Sequence, residues 1–198
     1  MAKTLEFFFD FGSPTTYLAF TQVEPLAQRL GARVAYKPML LGGVFKATGN
    51  ASPITVPAKG AWMTGDLKRW AEFYRVSFQI PPSFPINTLM LMRGAVACLD
   101  TEKFDDYLHA VFKAMWADGR DLADPAVVES VVRDAGIDPD EFAAWIGDPA
   151  VKEALKARTD EAVARGVFGA PTMFVGEEMF FGQDRLHFVG EALSKTEN

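Results

Sequence analysis

The chain has 198 residues, 49% hydrophobic and 23% charged, with a net charge of −6. A chain of this size buries roughly 70% of its unfolded surface and needs no disulfide or metal to hold a core. The acidic balance and the lack of a dense Lys/Arg block argue against nucleic acid as a partner, and the single cysteine, Cys98, excludes an internal disulfide, a CxxC redox pair and a cysteine-rich zinc site.

Residues 4–11, "TLEFFFDF", read as a buried strand that stops at Gly12-Ser13-Pro14. A helix is expected over 14–30, with Tyr17, Leu18, Val23, Leu26 and Leu30 on one face and Gly31 just past its end. "ARVAYKP" (32–38) is a second strand, stopped by Pro38, so the opening reads as a βαβ unit with a parallel pair. Residues 40–59 hold Gly42, Gly43, Gly49, Asn50, Pro53 and Pro57 and read as a loop.

A helical middle follows, with Met63, Leu67, Trp70 and Tyr74 at helical spacing, then Phe104, Leu108, Val111 and Met115. Three helices open with Asp-Pro, at 124–125, 138–139 and 148–149: a capping carboxylate, then a proline at the first helical position. Glu141 stands three residues after Asp138, where a capping box places a glutamate. "PTMFVG" (171–176) and "EEMFFG" (177–182) read as a hairpin, and 183–193 as a terminal helix with Leu186, Val189 and Leu193 inward. The two ends, 1–50 and 160–198, are expected to form one α/β sheet domain, with 51–159 as a helical insertion.

The opening "MAKTLEFFFDF" lacks the basic start and cleavage site of a signal peptide, and no apolar run approaches the length of a membrane span. A cytoplasmic protein is the expectation. Cys98 sits in an apolar helical context where a thiol is usually inert. His109 and His187 lack neighbours at ligand spacing, so packing or surface roles are expected for both.

Ser13 admits two readings. Ser-Pro at a strand-to-helix junction is an ordinary cap and first-turn proline. The later X-Pro helices all use aspartate at the cap, however, whereas a neutral donor is what a bound thiolate would require.

The β-α-β, helices, β-β-α order is that of an α/β, thioredoxin-like fold with a large all-helical insertion, as in the disulfide oxidoreductase DsbA. "FFFDFGSPTTYLAF" closely resembles the opening strand and first helix of 2-hydroxychromene-2-carboxylate isomerases and of kappa-class glutathione transferases. "GVFGAPTMFVGEEMFFGQDRLHFV" (166–189) resembles the isomerases' C-terminal signature, and "GN" (49–50) with "PAKGAWMTGDLKRW" (57–70) resembles the family's glutathione-site region.

The resemblance implies glutathione as cofactor, with Ser13 donating a hydrogen bond to its sulfur. It implies that Pro171 follows a cis peptide bond and that the Ala170 backbone pairs with the cysteinyl unit. It carries Asn50, Lys59, Gln183, Asp184 and Arg185 to the cofactor site, Asp184 toward the γ-glutamyl ammonium and Lys59 or Arg185 toward a carboxylate. Trp62 and Phe84, the latter in a "PPSFP" turn that leads to Asn87, would face an aromatic acid. The activity implied is ring opening and cis/trans isomerisation of a 2-hydroxychromene-2-carboxylate to a trans-o-hydroxybenzylidenepyruvate in aromatic degradation. Members are typically homodimers; no nucleic acid, membrane or metal is expected. A kappa-like transferase keeps the same site, and a non-catalytic thioredoxin-like binding module is the alternative of another class.

Overall fold

The computed structural model describes residues 3–195. Strand β1 (Lys3–Phe9) lies near the centre of a four-stranded sheet of order β2-β1-β3-β4. Helix α1 (Pro14–Arg29) returns the chain to β2 (Ala32–Pro38), which pairs parallel with β1 from Lys3↔Ala32 to Phe9↔Pro38. β3 (Thr172–Val175) pairs antiparallel with β1 on its other side, and β4 (Glu178–Phe181) closes the hairpin. Gly31 takes φ 63° just past α1, the left-handed geometry expected of a glycine there.

The apolar run in β1 is continuous because both faces of the sheet are covered. Leu5, Phe7 and Phe9, extended by Phe11, enter the larger core together with residues of α1 and the central helices. Phe8 points the other way, into a smaller cluster with Met39, Val44, Ala162, Val167 and Phe174.

The stretch 40–59 departs from the loop expected of it. Leu41–Thr48 is a helix, α2, ended by Gly49 at φ 71°, and a short 3-10 turn covers Pro53–Thr55. Its paired glycines lowered the helical signal. Asp10 supplies the organising contact instead, by accepting from the first N–H of α2.

Helices α3 (Pro57–Tyr74), α4 (Leu89–Cys98) and α5 (Phe104–Phe112) follow, the last continuing into a π-helical turn over Lys113–Ala117. α6 (Pro125–Asp134), α7 (Pro139–Gly147) and α8 (Pro149–Ala164) open on Asp124, Asp138 and Asp148, each accepting from backbone N–H groups of its first turn. The Glu141 N–H does reach Asp138, but its carboxylate pairs with Lys103 rather than closing a capping box. A 3-10 turn, Gln183–Arg185, then leads into α9 (Leu186–Lys195). The division drawn at 159/160 falls inside α8, which runs unbroken across it, and the ends 1–2 and 196–198 lie outside the described residues.

α4 reaches its neighbours through Gly94, where an added Cβ would lie 2.4 Å from the Tyr107 hydroxyl and 2.5 Å from a Phe142 ring carbon. G94A therefore gains about 1 kcal/mol of helix propensity but overpacks two buried rings, and should be destabilised by about 1–3 kcal/mol in urea unfolding.

On the other face of the sheet Glu6 accepts from Arg165 (2.8 Å) and pairs with Lys37 (3.3 Å), while the Arg165 guanidinium lies 4.0 Å from the Phe174 ring centroid. The Arg165 hydrogen bond outweighs partial burial and holds the Glu6 carboxyl below its usual range. A lowered folded pKa stabilises fully above the ordinary glutamate value, about 4.3, and that contribution is lost as pH falls through the lowered one. E6Q should therefore flatten the acid limb of a stability-against-pH curve. An unchanged acid limb would show that the pair contributes nothing.

Candidate functional site

The site begins at the turn after β1. Ser13 caps α1, its Oγ accepting from the Thr16 N–H at 3.2 Å, and it is 5% exposed. Its hydroxyl donates across the fold to the Ala170 carbonyl at 3.0 Å. Thr15 Oγ1 donates to the same carbonyl at 3.2 Å and lies 3.0 Å from Ser13 Oγ. The Ala170–Pro171 peptide is cis, as the resemblance implies, and so is Phe84–Pro85.

These groups open onto a cleft of about 730 Å³. Of the residues expected at the site, Ser13, Asn50, Lys59, Phe84, Ala170, Gln183, Asp184 and Arg185 line it. They come from five separate stretches of chain, which the fold brings to one end of the sheet. Pro171 is buried directly behind Ala170. Trp62 does not line the cleft: it is 64% exposed, while Lys59 and Met63, one turn apart on α3, face inward.

The polar groups differ in how firmly they are held. Asn50 Nδ2 donates to the Phe168 carbonyl at 2.8 Å, which ties the loop to the segment before the cis proline, and its Oδ1 accepts from the Ala51 N–H within the loop. Asp184 and Arg185 form an ion pair with each other. Gly182, at φ 101° and ψ 152°, lets the Asp184 carboxylate fold back, because a Cβ there would lie 2.5 Å from Asp184 Oδ1. Tyr74 donates to the Gln183 carbonyl at 2.8 Å and fixes this turn from α3. Lys59 has no ion pair among the described residues and stands at the rim.

Asp10, Thr15, Thr88 and Trp116 carry the site without having been singled out from sequence. Asp10 is 1% exposed and accepts from the Gly12 N–H (2.8 Å), the Leu41 N–H (2.7 Å) and the Thr88 hydroxyl (2.7 Å). Burial pushes its carboxyl above the usual range, against the three hydrogen bonds that pull it down. The Trp116 indole donates to the Phe11 carbonyl at 2.7 Å and meets Phe84 edge-on, ring centroids 5.4 Å apart. The signal in sequence was Asp10 itself, a carboxylate set between Phe9 and Phe11 just before the turn.

Neither histidine lines the cleft; His109 packs on Phe20, ring centroids 4.8 Å apart. Burial pushes the Cys98 thiol up to about 12, so the protein's own sulfur stays a thiol away from the site. Among the described residues no group of His, Cys, Asp and Glu side chains is arranged to hold a metal ion, and no helix is long and apolar enough to cross a membrane.

The turn after β1 thus sets a buried hydroxyl cap against the carbonyl that precedes Pro171. The chain belongs to the DSBA-like thioredoxin domain family, whose model matches residues 4–194. Within it, the chain is a member of the 2-hydroxychromene-2-carboxylate isomerase family. It is 36% identical to the isomerase of that name from Sphingobium xenophagum over 192 residues, 96% of this chain and 97% of the relative. A solved 2-hydroxychromene-2-carboxylate isomerase structure superposes with a TM-score of 0.89 at 31% identity, covering 97% of this chain and 95% of that one. Glutathione S-transferase kappa 2 of Caenorhabditis elegans is 27% identical over 208 residues, 98% of this chain and 92% of that one.

Asp10 sets how these pieces meet. D10A leaves the part-buried Gly12 and Leu41 N–H groups and the buried Thr88 hydroxyl without their acceptor, and should cost about 1–3 kcal/mol in denaturant unfolding. D10N, which keeps one acceptor oxygen, should lose less.

Proposed function

We propose that this protein is a glutathione-dependent isomerase that opens 2-hydroxychromene-2-carboxylate-type aromatic acids and isomerises them to a trans-o-hydroxybenzylidenepyruvate. The observation that carries the reading is Ser13: a nearly buried neutral hydroxyl at the capped start of α1, facing the carbonyl before a cis proline in a roomy cleft. The family membership supports the reaction, and the kappa-class relatives support the cofactor.

The donor set suits glutathione. A γ-linked tripeptide carries two carboxylates, an ammonium and a thiol. The cleft offers Lys59 and Arg185 for carboxylates, Asp184 for an ammonium and hydroxyl donors for sulfur. The Ala170 backbone would pair with the cysteinyl unit through its N–H, its carbonyl being held by Ser13 and Thr15, and Asn50 and Gln183 shape the loops on either side. When bound, glutathione supplies the nucleophilic sulfur that the chain lacks at this position.

The chain's own residues supply the environment. Ser13 donates without adding charge, so it favours a thiolate where a carboxylate would repel one. The positive N-terminal end of the α1 dipole acts in the same direction. Phe84, Met63, Phe45 and Phe181 give the cleft an apolar wall suited to an aromatic acid, with Phe84 held in place by Trp116. Trp62 stands outside that wall, so its contact with substrate would require movement of α3. A homodimer belongs to this reading and rests on the sequence resemblance.

An isomerisation consumes no co-reactant. With the chromene carboxylate as substrate, product should form only when glutathione is present, and the glutathione should be recovered in full. Stoichiometric loss of glutathione would indicate the kappa-like transferase instead. S13A should lower kcat by about ten- to a hundredfold, the loss of one charge-assisted hydrogen bond. Glutathione at about one hundred times its Kd should raise Tm by about 5–10 °C; no shift at millimolar concentration would favour a non-catalytic binding module.

A further inference from the structure

Three oxygens converge where α1 meets the cis-proline strand. The Ser13 and Thr15 hydroxyls lie 3.0 Å apart, and both reach the Ala170 carbonyl, at 3.0 and 3.2 Å. Each hydroxyl carries one hydrogen, and a carbonyl is satisfied by a single donor although it can accept two. The arrangement therefore holds one more hydrogen than Ala170 needs. Both residues also line the cleft.

The two hydroxyls are not equally free. Ser13 is buried, and its Oγ accepts the Thr16 N–H as the helix cap, so its position is set by the fold. Thr15 is only half-buried, and its Oγ1 has no capping bond to break. Rotation of Thr15 toward the cleft would leave Ser13 on Ala170, and rotation of the Ser13 hydrogen would leave Thr15 there. In either case a ligand atom receives a donor and no buried carbonyl is orphaned.

We propose that Thr15 is a second catalytic residue, paired with Ser13, so that one hydroxyl donates to the cofactor sulfur while the other holds the Ala170 carbonyl. The inference deepens the glutathione reading and rests on it. No charge is introduced by either member of the pair, so both favour thiolate over thiol without repelling it. Loss of one hydroxyl forces the survivor to serve either the sulfur or Ala170.

The test is the pKa of the bound glutathione thiol, followed through the ultraviolet absorbance of the thiolate as pH is varied, in the wild type, T15V, T15S, S13A and S13A/T15V. Valine keeps the shape of Thr15 and removes only the hydroxyl. T15V should raise the thiol pKa by about one unit, a tenfold loss of thiolate at fixed pH, and the double variant should raise it further than either single change. T15S should remain close to wild type. An unchanged thiol pKa in T15V, or an equal rise in T15V and T15S, would overturn the pairing while leaving the glutathione reading intact. Failure of wild-type protein to bind glutathione in the thermal-shift assay would overturn both.

Discussion

The cleft depends on a carboxylate that solvent does not reach. Asp10 ends the central strand and gathers donors from the Ser13 turn, from the first residue of α2 and from Thr88 at the start of α4. Those three segments are far apart in sequence, and Gly12 and Leu41 border the cleft. Burying a carboxylate is unfavourable, and the cost is tolerable only when its oxygens are fully hydrogen-bonded. That requirement makes the three segments interdependent, because moving any one of them takes a donor from the carboxylate. Asp10 is thus a geometric constraint on the site, even though it is too deep to touch a ligand.

A second constraint runs from the central helices into the same turn. Trp116 donates to the Phe11 carbonyl, stacks on Phe78 and backs Phe84. Phe84 in the wall offered to an aromatic ligand and the turn that carries Ser13 therefore lean on one indole. The sheet and the helices share one continuous core, so their relative placement is set by packing rather than by a linker.

What could be read from sequence divides along a physical line. β1, α1, the three Asp-Pro helix starts and the closing hairpin rest on local grammar: apolar runs, capping oxygens, first-turn prolines. The features that escaped depend on distant partners. α2 carries two glycines near its start and looked like loop, yet Asp10 receives its first N–H. Glu141 occupies a capping-box position, but Lys103, 38 residues away in sequence, takes its carboxylate. The residues that line the cleft were named together through resemblance to a family, which carries spatial information that spacing does not. Even so, resemblance placed Trp62 by position in a motif, whereas its orientation is set by which face of α3 packs inward.

The geometry also changes the argument about why residue 13 is serine. From sequence, the contrast with the aspartate caps at 124, 138 and 148 pointed to a bound thiolate. Those aspartates have only to accept, each from backbone N–H groups of its own exposed helix start. Ser13 has to accept from Thr16 and also to donate to Ala170, and an ionised aspartate has no hydrogen to donate. An aspartate would set two acceptors against each other in a buried place, with or without a cofactor. The fold alone therefore excludes an ionised carboxylate cap at this position, and the contrast with the aspartate caps has a structural cause of its own. Beside Ser13 stands a second hydroxyl that the fold does not require. Thr15 is needed neither as cap nor as the only donor to Ala170, yet its hydroxyl lies at the cleft beside Ser13.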